Sequence, residues 1–195
     1  MNTSLKATSF TQTLARMMLQ LKSWKLEVNL PPTPKYVLIG APHTTNWDLF
    51  YALLLLHATR IKPHFVAKDT LFREPLGSIM RWLGGIPVDR QSRNNFVQQI
   101  VEVYNRMEEL VVAIAPEGTR SLTRTWKTGF YYIAMGAQVP IAMGFVDYPR
   151  KVVGIGPTLW PSGDIHADFA KIKAFYSQKV GRYPHLTGEI RIQPE

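Results

Sequence analysis

The sequence predicts an α/β fold, a mixed and largely parallel sheet flanked by helices, with an amphipathic helix ahead of the sheet. Short apolar runs alternate with longer helical stretches, which is the pattern of β-α-β units. The chain has 195 residues, the usual size of one domain. Its hydrophobic content of 46% is enough for a packed core, so a disordered chain is excluded.

The first predicted element is a helix over residues 10–25. Its apolar side chains recur three or four positions apart, at Phe10, Leu14, Met17, Met18 and Leu21, and the same spacing continues to Trp24 or Lys25. Arg16 and Lys22 lie elsewhere around the helix, which is therefore amphipathic and basic. Such a helix can lie in the interface of an anionic membrane, or it can simply cap the core. We assign it to an N-terminal helical segment, residues 1–30.

The main domain is predicted to span residues 31–180, after a proline-rich break. Its strands are predicted at Tyr36–Ala41, His64–Ala67, Ile86–Val88, Val111–Ala115, Val139–Val146 and Val152–Ile155. Its helices are predicted at Trp47–Thr59, Pro75–Leu83, Asn94–Glu109, Phe130–Ala137 and Ile165–Val180. Residues 181–195 are predicted to form a loosely packed C-terminal tail.

One uncharged stretch, Thr128–Val146, is long enough to raise the question of a membrane span. Gly136 and Pro140 interrupt it, so we predict a helix that ends near Ala137, followed by a buried strand. The N-terminus lacks the apolar core of a secretory signal. We therefore expect a cytoplasmic protein that can also sit peripherally on the inner face of the membrane.

The formal net charge of +9 and a pI near 9.9 favour anionic partners, such as nucleic acid, anionic lipid or phosphorylated small molecules. The basic residues are spread along the chain and match no nucleic-acid motif, so nucleic-acid binding is not expected. The chain has no cysteine, which excludes disulfides, cysteine zinc sites and thiol nucleophiles. The histidines show no metal-ligand spacing, and no metal site is predicted.

The first candidate site is a His-x4-Asp pair, His43 and Asp48, where the first core strand turns into a helix. Asn46 is a suitable N-cap, which would put Asp48 in the first helical turn. There the carboxylate could accept a hydrogen bond from one imidazole nitrogen, leaving the other as a general base. The alternative is a capping aspartate beside an incidental loop histidine.

The second candidate site is the loop Glu117-Gly118-Thr119-Arg120, which follows the most apolar strand. Glycine allows a tight turn and a close approach of the backbone to a ligand. Arg120 can then grip a phosphate with two parallel hydrogen bonds, and Arg90 can supply a second cation. The alternative is a turn that carries a solvated arginine.

In chain order, these motifs are His-x4-Asp, Gly-Gly-Ile-Pro-Val-Asp-Arg at 84–90, Pro-Glu-Gly-Thr-Arg-Ser at 116–121 and Val-Pro-Ile at 139–141. Together they resemble the glycerolipid acyltransferase family, that of the 1-acylglycerol-3-phosphate acyltransferases, over roughly residues 36–145. The resemblance implies a glycerol-3-phosphate acyltransferase-like α/β fold. It also implies transfer of an acyl group from acyl-CoA or acyl-carrier protein to a hydroxyl of a lipid-like acceptor, with no cofactor beyond that co-substrate.

By the same resemblance, His43 takes the proton of the acceptor hydroxyl and Asp48 supports it. The substrate site is then expected to contain Thr45, Arg90, Glu117, Gly118, Thr119 and Arg120. The sequence departs from the family in having Pro42 where asparagine is usual before the histidine, Thr45 where serine is usual, and Met143 in place of a proline. These departures leave room for an acceptor other than a glycerophosphate.

The sequence contains no Gly-x-Ser-x-Gly elbow and no cysteine, so an acyl-enzyme has no obvious nucleophile. Direct attack in a ternary complex needs a base, an oxyanion stabiliser and good positioning. Backbone amides near the His43 turn are the natural oxyanion donors. A thioester or ester hydrolase that uses the same pair to activate water is the main alternative.

Overall fold

The computed structural model describes residues 10–89 and 93–192. Its strands are β1 Lys25–Val28, β2 Lys35–Ala41, β3 Pro63–Lys68, β4 Gly85–Val88, β5 Leu110–Ile114, β6 Ile141–Asp147 and β7 Val152–Leu159. Its helices are α1 Phe10–Leu21, α2 Asn46–Thr59, α3 Gly77–Trp82, α4 Arg93–Arg106, α5 Gly129–Gly136 and α6 Ile165–Tyr176. Short 3₁₀ turns lie at Asp69–Phe72 and Pro184–Leu186.

The strands form one seven-stranded sheet in the order β1-β7-β6-β2-β5-β3-β4. Every neighbouring pair is parallel except β6 and β7, which are antiparallel and joined by a short turn. The predicted mixed, largely parallel sheet flanked by helices is therefore confirmed. Strands β2, β5 and β6 are parallel neighbours, so the residues that follow them emerge at one edge of the sheet.

Two hydrophobic clusters cover the two faces of the sheet. On one face, α1 and α2 pack through residues such as Leu19 and Leu54 against Leu38 of β2. On the other face, Ile133 of α5 and Ile172 of α6 pack with Ile39 of β2. Because β2 is buried on both sides, the turn that follows it starts from a fixed position.

The N-terminal segment differs from its prediction, because α1 ends at Leu21 and Lys25–Val28 forms an edge strand. Ser23 adopts a φ of 59°, which breaks the helix and turns the buried ring of Trp24 into the core. Strand β1 then pairs in parallel with β7. Its four residues, Lys-Leu-Glu-Val, form too short a run to be recognised as a strand next to the predicted helix, which is why the sequence did not indicate one.

The C-terminal tail, expected to be loosely packed, is hydrogen-bonded to the domain over its described residues. The Tyr183 amide donates to the Thr44 hydroxyl at 3.3 Å, beside the turn that follows β2. The Trp126 amide donates to the Arg191 carbonyl at 2.8 Å, and Trp126 forms a parallel bridge with Ile192. The tail thus contributes to the surroundings of the candidate site.

The uncharged stretch at 128–146 forms α5 and then the fully buried strand β6, as predicted. Helix α6 ends at Tyr176, four residues before its predicted end at Val180. Within the described ranges, no helix has the length and apolar character needed to cross a membrane.

Candidate active site

The turn after β2 carries the first pair of candidate residues. The chain passes through a cis peptide bond between Ala41 and Pro42, and α2 begins at Asn46. The N-cap is Thr45, one residue before the predicted Asn46, and its hydroxyl accepts from the Trp47 amide. Asp48 is the third residue of the helix, and its carboxylate completes a capping box with the Thr45 backbone. The sequence of the turn thus fixes Asp48 in the first turn of α2, as predicted.

Asp48 is 4% exposed, and both oxygens of its carboxylate accept hydrogen bonds. Its Oδ2 accepts from the backbone amides of Thr44 at 2.6 Å and Thr45 at 2.8 Å. The same oxygen lies 3.4 Å from His43 Nδ1. Its Oδ1 accepts from the Tyr148 hydroxyl at 2.7 Å. The structure therefore brings His43 and Asp48 together in the arrangement that the spacing suggested.

The surroundings of Asp48 hold it in the charged form. Burial alone would raise the pKa of Asp48, but hydrogen bonds from His43, Tyr148, Thr45 and Thr44 outweigh burial and lower it below its ordinary value. An ionised carboxylate next to Nδ1 favours the tautomer with a proton on that nitrogen. The other ring nitrogen of His43, Nε2, is then the proton acceptor, and the side chain is 28% exposed.

Glu117 lies beneath the same turn rather than at its surface. Both of its oxygens accept from the His43 backbone amide, at 3.1 and 3.2 Å, and the residue is 4% exposed. Burial raises the pKa of Glu117 to about 7, against a smaller opposing effect of its hydrogen bond to His43. The resemblance assigned Glu117 to the substrate site, whereas its hydrogen bonds here are with the turn that carries His43.

The remaining residues of the 117–120 loop are exposed. Gly118 has a φ of 67°, and a Cβ there would meet Lys127 Nζ at 2.8 Å, so the lysine side chain packs across the glycine. The Thr119 hydroxyl accepts from the Ser121 amide at 3.2 Å. Arg120 is hydrogen-bonded to the side chain of Asn46, which joins this loop to the start of α2. The predicted residue Arg90 lies outside the described residues.

Two residues near the pair were not predicted from the sequence. Tyr148, which follows β6, donates its hydroxyl to Asp48. The guanidinium of Arg182 lies 5.6 Å from the ring centre of Trp47, the residue before Asp48. Strand β6 is a parallel neighbour of β2. The residues after β6 therefore lie at the same edge of the sheet as those after β2, and this position is the sequence signal for Tyr148. No sequence signal pointed to Arg182.

Over residues 10–89 and 93–192, no three His, Asp or Glu side chains are grouped so that they could hold a metal ion. The arrangement that the structure does provide is a partly exposed imidazole, an ionised aspartate behind it, and a loop with Arg120 and Lys127 beside it. Chemically, this is a base next to cations that can hold an anionic substrate.

Comparison with known proteins gives a family and a similar fold. The family model described as acyltransferase matches residues 25–143, a range that includes His43, Asp48 and the 117–120 loop. In fold, the chain is similar to the crystal structure of the 1-acyl-sn-glycerophosphate (LPA) acyltransferase PlsC from Thermotoga maritima, with a TM-score of 0.52 and 17% identity. That likeness covers 83% of this chain and 73% of the other. No curated protein matches. Because the family match extends over more than half of its residues, this chain belongs to the acyltransferase family.

Proposed function

We propose that the protein transfers a fatty acyl group from acyl-CoA or acyl-carrier protein to a hydroxyl of a lysophospholipid-type acceptor, with 1-acylglycerol-3-phosphate as the first candidate. The observation that carries the proposal is the His43–Asp48 pair in a chain of this family, with Nδ1 held against a buried carboxylate. The fold that it shares with a lysophosphatidate acyltransferase is consistent with the same acceptor class.

In the proposed reaction, His43 Nε2 takes the proton of the acceptor hydroxyl while the oxygen attacks the thioester carbonyl. The tetrahedral intermediate expels the thiolate, which receives the proton from the imidazolium, and the products are an ester and a free thiol. Asp48 stabilises the imidazolium and holds its orientation. The reaction needs no metal or prosthetic group, and this remains an expectation from the chemistry.

The contacts of the turn narrow the choice of oxyanion donor. The amides of His43, Thr44 and Thr45 already donate to Glu117 and Asp48. From the sequence, the oxyanion donors are expected to be backbone amides near the His43 turn, and these three amides belong to that turn. The oxyanion in our proposal is therefore stabilised by a donor other than these three amides.

The phosphate of the acceptor is proposed to lie against exposed cations at the same edge of the sheet. Arg120 contacts the first residue of α2, Lys127 packs over Gly118, and Lys68 ends strand β3. Arginine can bind a phosphate through two hydrogen bonds, whereas lysine acts as a point charge. We propose Arg120 as the main contact.

The lipid acceptor requires access to a membrane surface, which we propose is contacted through residues 10–25. Ala15 and Leu19 of α1 are buried against the core, so the helix does cap the domain. Phe10 and Leu21 remain 80% and 76% exposed, and the helix carries no acidic residue. An exposed apolar side with flanking cations suits an anionic lipid surface.

The test is release of free thiol from palmitoyl-CoA by wild type and by His43→Ala, with and without lysophosphatidate. Release that requires the acceptor and is lost in the variant supports the proposal. Equal release without acceptor shows a thioester hydrolase. A parallel reaction with an acyl-carrier protein thioester distinguishes the two donors, and a panel of other lysophospholipids tests the acceptor.

A further inference from the structure

Tyr148 makes a contact with the candidate site that neither the motifs nor the family match includes. Its hydroxyl donates to Asp48 Oδ1 at 2.7 Å, on the oxygen opposite the two amides. The residue lies 100 positions from Asp48 in the chain and beyond the matched range 25–143.

The ring of Tyr148 is held by contacts on several sides. Its centre is 5.3 Å from the Trp24 ring and 5.8 Å from the Tyr51 ring, both in edge-to-face geometry. Its backbone amide donates to the Val180 carbonyl at 3.0 Å. Burial and the neighbouring Asp48 carboxylate raise the pKa of Tyr148, so its hydroxyl stays protonated and remains a donor. A group held in this way can fix the direction of its partner.

We propose that Tyr148 is a positioning residue for the catalytic pair, which it serves by fixing the rotation of the Asp48 carboxylate. The inference rests on the proposed role of His43 as base. With Oδ1 bound to the Tyr148 hydroxyl, Oδ2 is kept in the plane where it meets His43 Nδ1. Without the hydroxyl, the buried Oδ1 lacks this donor, and the carboxylate turns away or takes a proton.

The first experiment is the variant Tyr148→Phe, which keeps the ring and removes only the hydroxyl. We expect kcat to fall about tenfold, as for loss of one hydrogen bond to a charged group, with both KM values within about twofold of wild type. Tyr51→Phe is the matched control, because it removes a hydroxyl from the same ring cluster, and its kcat is expected to stay within about twofold.

A second comparison separates positioning from a general structural effect. In the Asp48→Asn background, Tyr148→Phe is expected to cost less than about twofold further, because the group through which it acts is already altered. A fall of the same factor in both backgrounds would overturn the proposal. So would an unchanged kcat in the single variant.

The state of His43 gives a readout that does not depend on acyl transfer. The imidazole nitrogens are observed by ¹⁵N NMR and assigned by their absence in His43→Gln. We expect the Nδ1–H tautomer in wild type and a mixture of tautomers in Tyr148→Phe. An unchanged tautomer would overturn the positioning role. If wild type transfers no acyl group, the proposed function fails, and this measurement still decides the role of Tyr148.

Discussion

Glu117 accepts the backbone N–H of His43 with both carboxylate oxygens, at 3.1 and 3.2 Å. This contact joins the loop after β5 to the turn after β2, although the two residues lie 74 positions apart. Because a buried carboxyl accepts this backbone hydrogen bond, the stability of the protein depends on the ionisation of Glu117 and therefore on pH.

The first prediction concerns that dependence. Burial raises the pKa of Glu117 from 4.5 to about 7, so between these values the folded chain holds a proton that the unfolded chain has lost. The contribution of Glu117 to the free energy of unfolding therefore falls as pH rises from about 4.5 to about 7. Glu117→Gln removes this pH-dependent loss. The free energy of unfolding of the variant, minus that of wild type, is therefore expected to rise by roughly 1–3 kcal/mol across the window.

Urea unfolding of both proteins at pH 5, 6, 7 and 8 measures this difference. The control is Glu109→Gln, which makes the same side-chain change at an exposed position just before β5. A constant difference for Glu117→Gln would show that its carboxyl ionises normally. The lowered pKa of Asp48 acts in a different window, since its stabilising contribution is lost only as pH falls through the acid range.

The second prediction concerns the base. His43→Ala is expected to lower kcat about a thousandfold, within the range attributed to a positioned general base. Its melting temperature should remain close to that of wild type, because the partly exposed side chain belongs to neither hydrophobic cluster. His166→Ala, at an exposed histidine of α6, is the control and should keep full activity. Retention of more than a few per cent of activity in His43→Ala would contradict the assignment.

The third prediction concerns Arg120. If its guanidinium holds the acceptor phosphate, Arg120→Ala raises the acceptor KM about tenfold or more, while kcat changes by less than about threefold. The donor KM should be unaffected. Arg124→Ala is the matched control, because this arginine is exposed on the following segment and its described hydrogen bond uses only its carbonyl. An unchanged acceptor KM in Arg120→Ala would place the phosphate on other cations, such as Lys68 or Lys127.

The sequence predicted the fold class because β2, β5 and β6 are apolar runs between helical stretches, and a buried parallel sheet produces that pattern. His43, Asp48 and Arg120 follow two of these strands, and ligands meet the carboxyl ends of parallel strands, which is why the sequence could single them out. The position of Tyr148 directly after β6 was a signal that the sequence prediction did not use. Its contact with Asp48 itself leaves no local pattern, because the two residues lie 100 positions apart.

Other features escaped prediction because they depend on the backbone. The tail contacts the site through the backbone N–H of Tyr183. Every residue except proline has a backbone N–H, so the sequence of the tail carries no sign of this contact. Thr45 and Asn46 are both good capping residues, so the sequence alone did not distinguish them. Thr45 is the N-cap because Asp48, at the third helical position, completes a capping box with it. The role assigned to Arg90 remains a prediction from the resemblance.

The last prediction concerns the membrane surface. If α1 contacts lipid, replacing both Phe10 and Leu21 with serine removes two large apolar side chains that are exposed in the protein. Each can contribute about 1–2 kcal/mol on entering an apolar environment, so the pair should weaken co-sedimentation with anionic vesicles at least tenfold. Transfer to a detergent-solubilised acceptor should be unchanged, because neither residue lies at the His43 turn. The comparison variant is Trp82→Ser, since Trp82 is 84% exposed on α3 and offers an alternative lipid contact. Loss of vesicle binding in Trp82→Ser alone would assign the contact to α3 and contradict the role of α1.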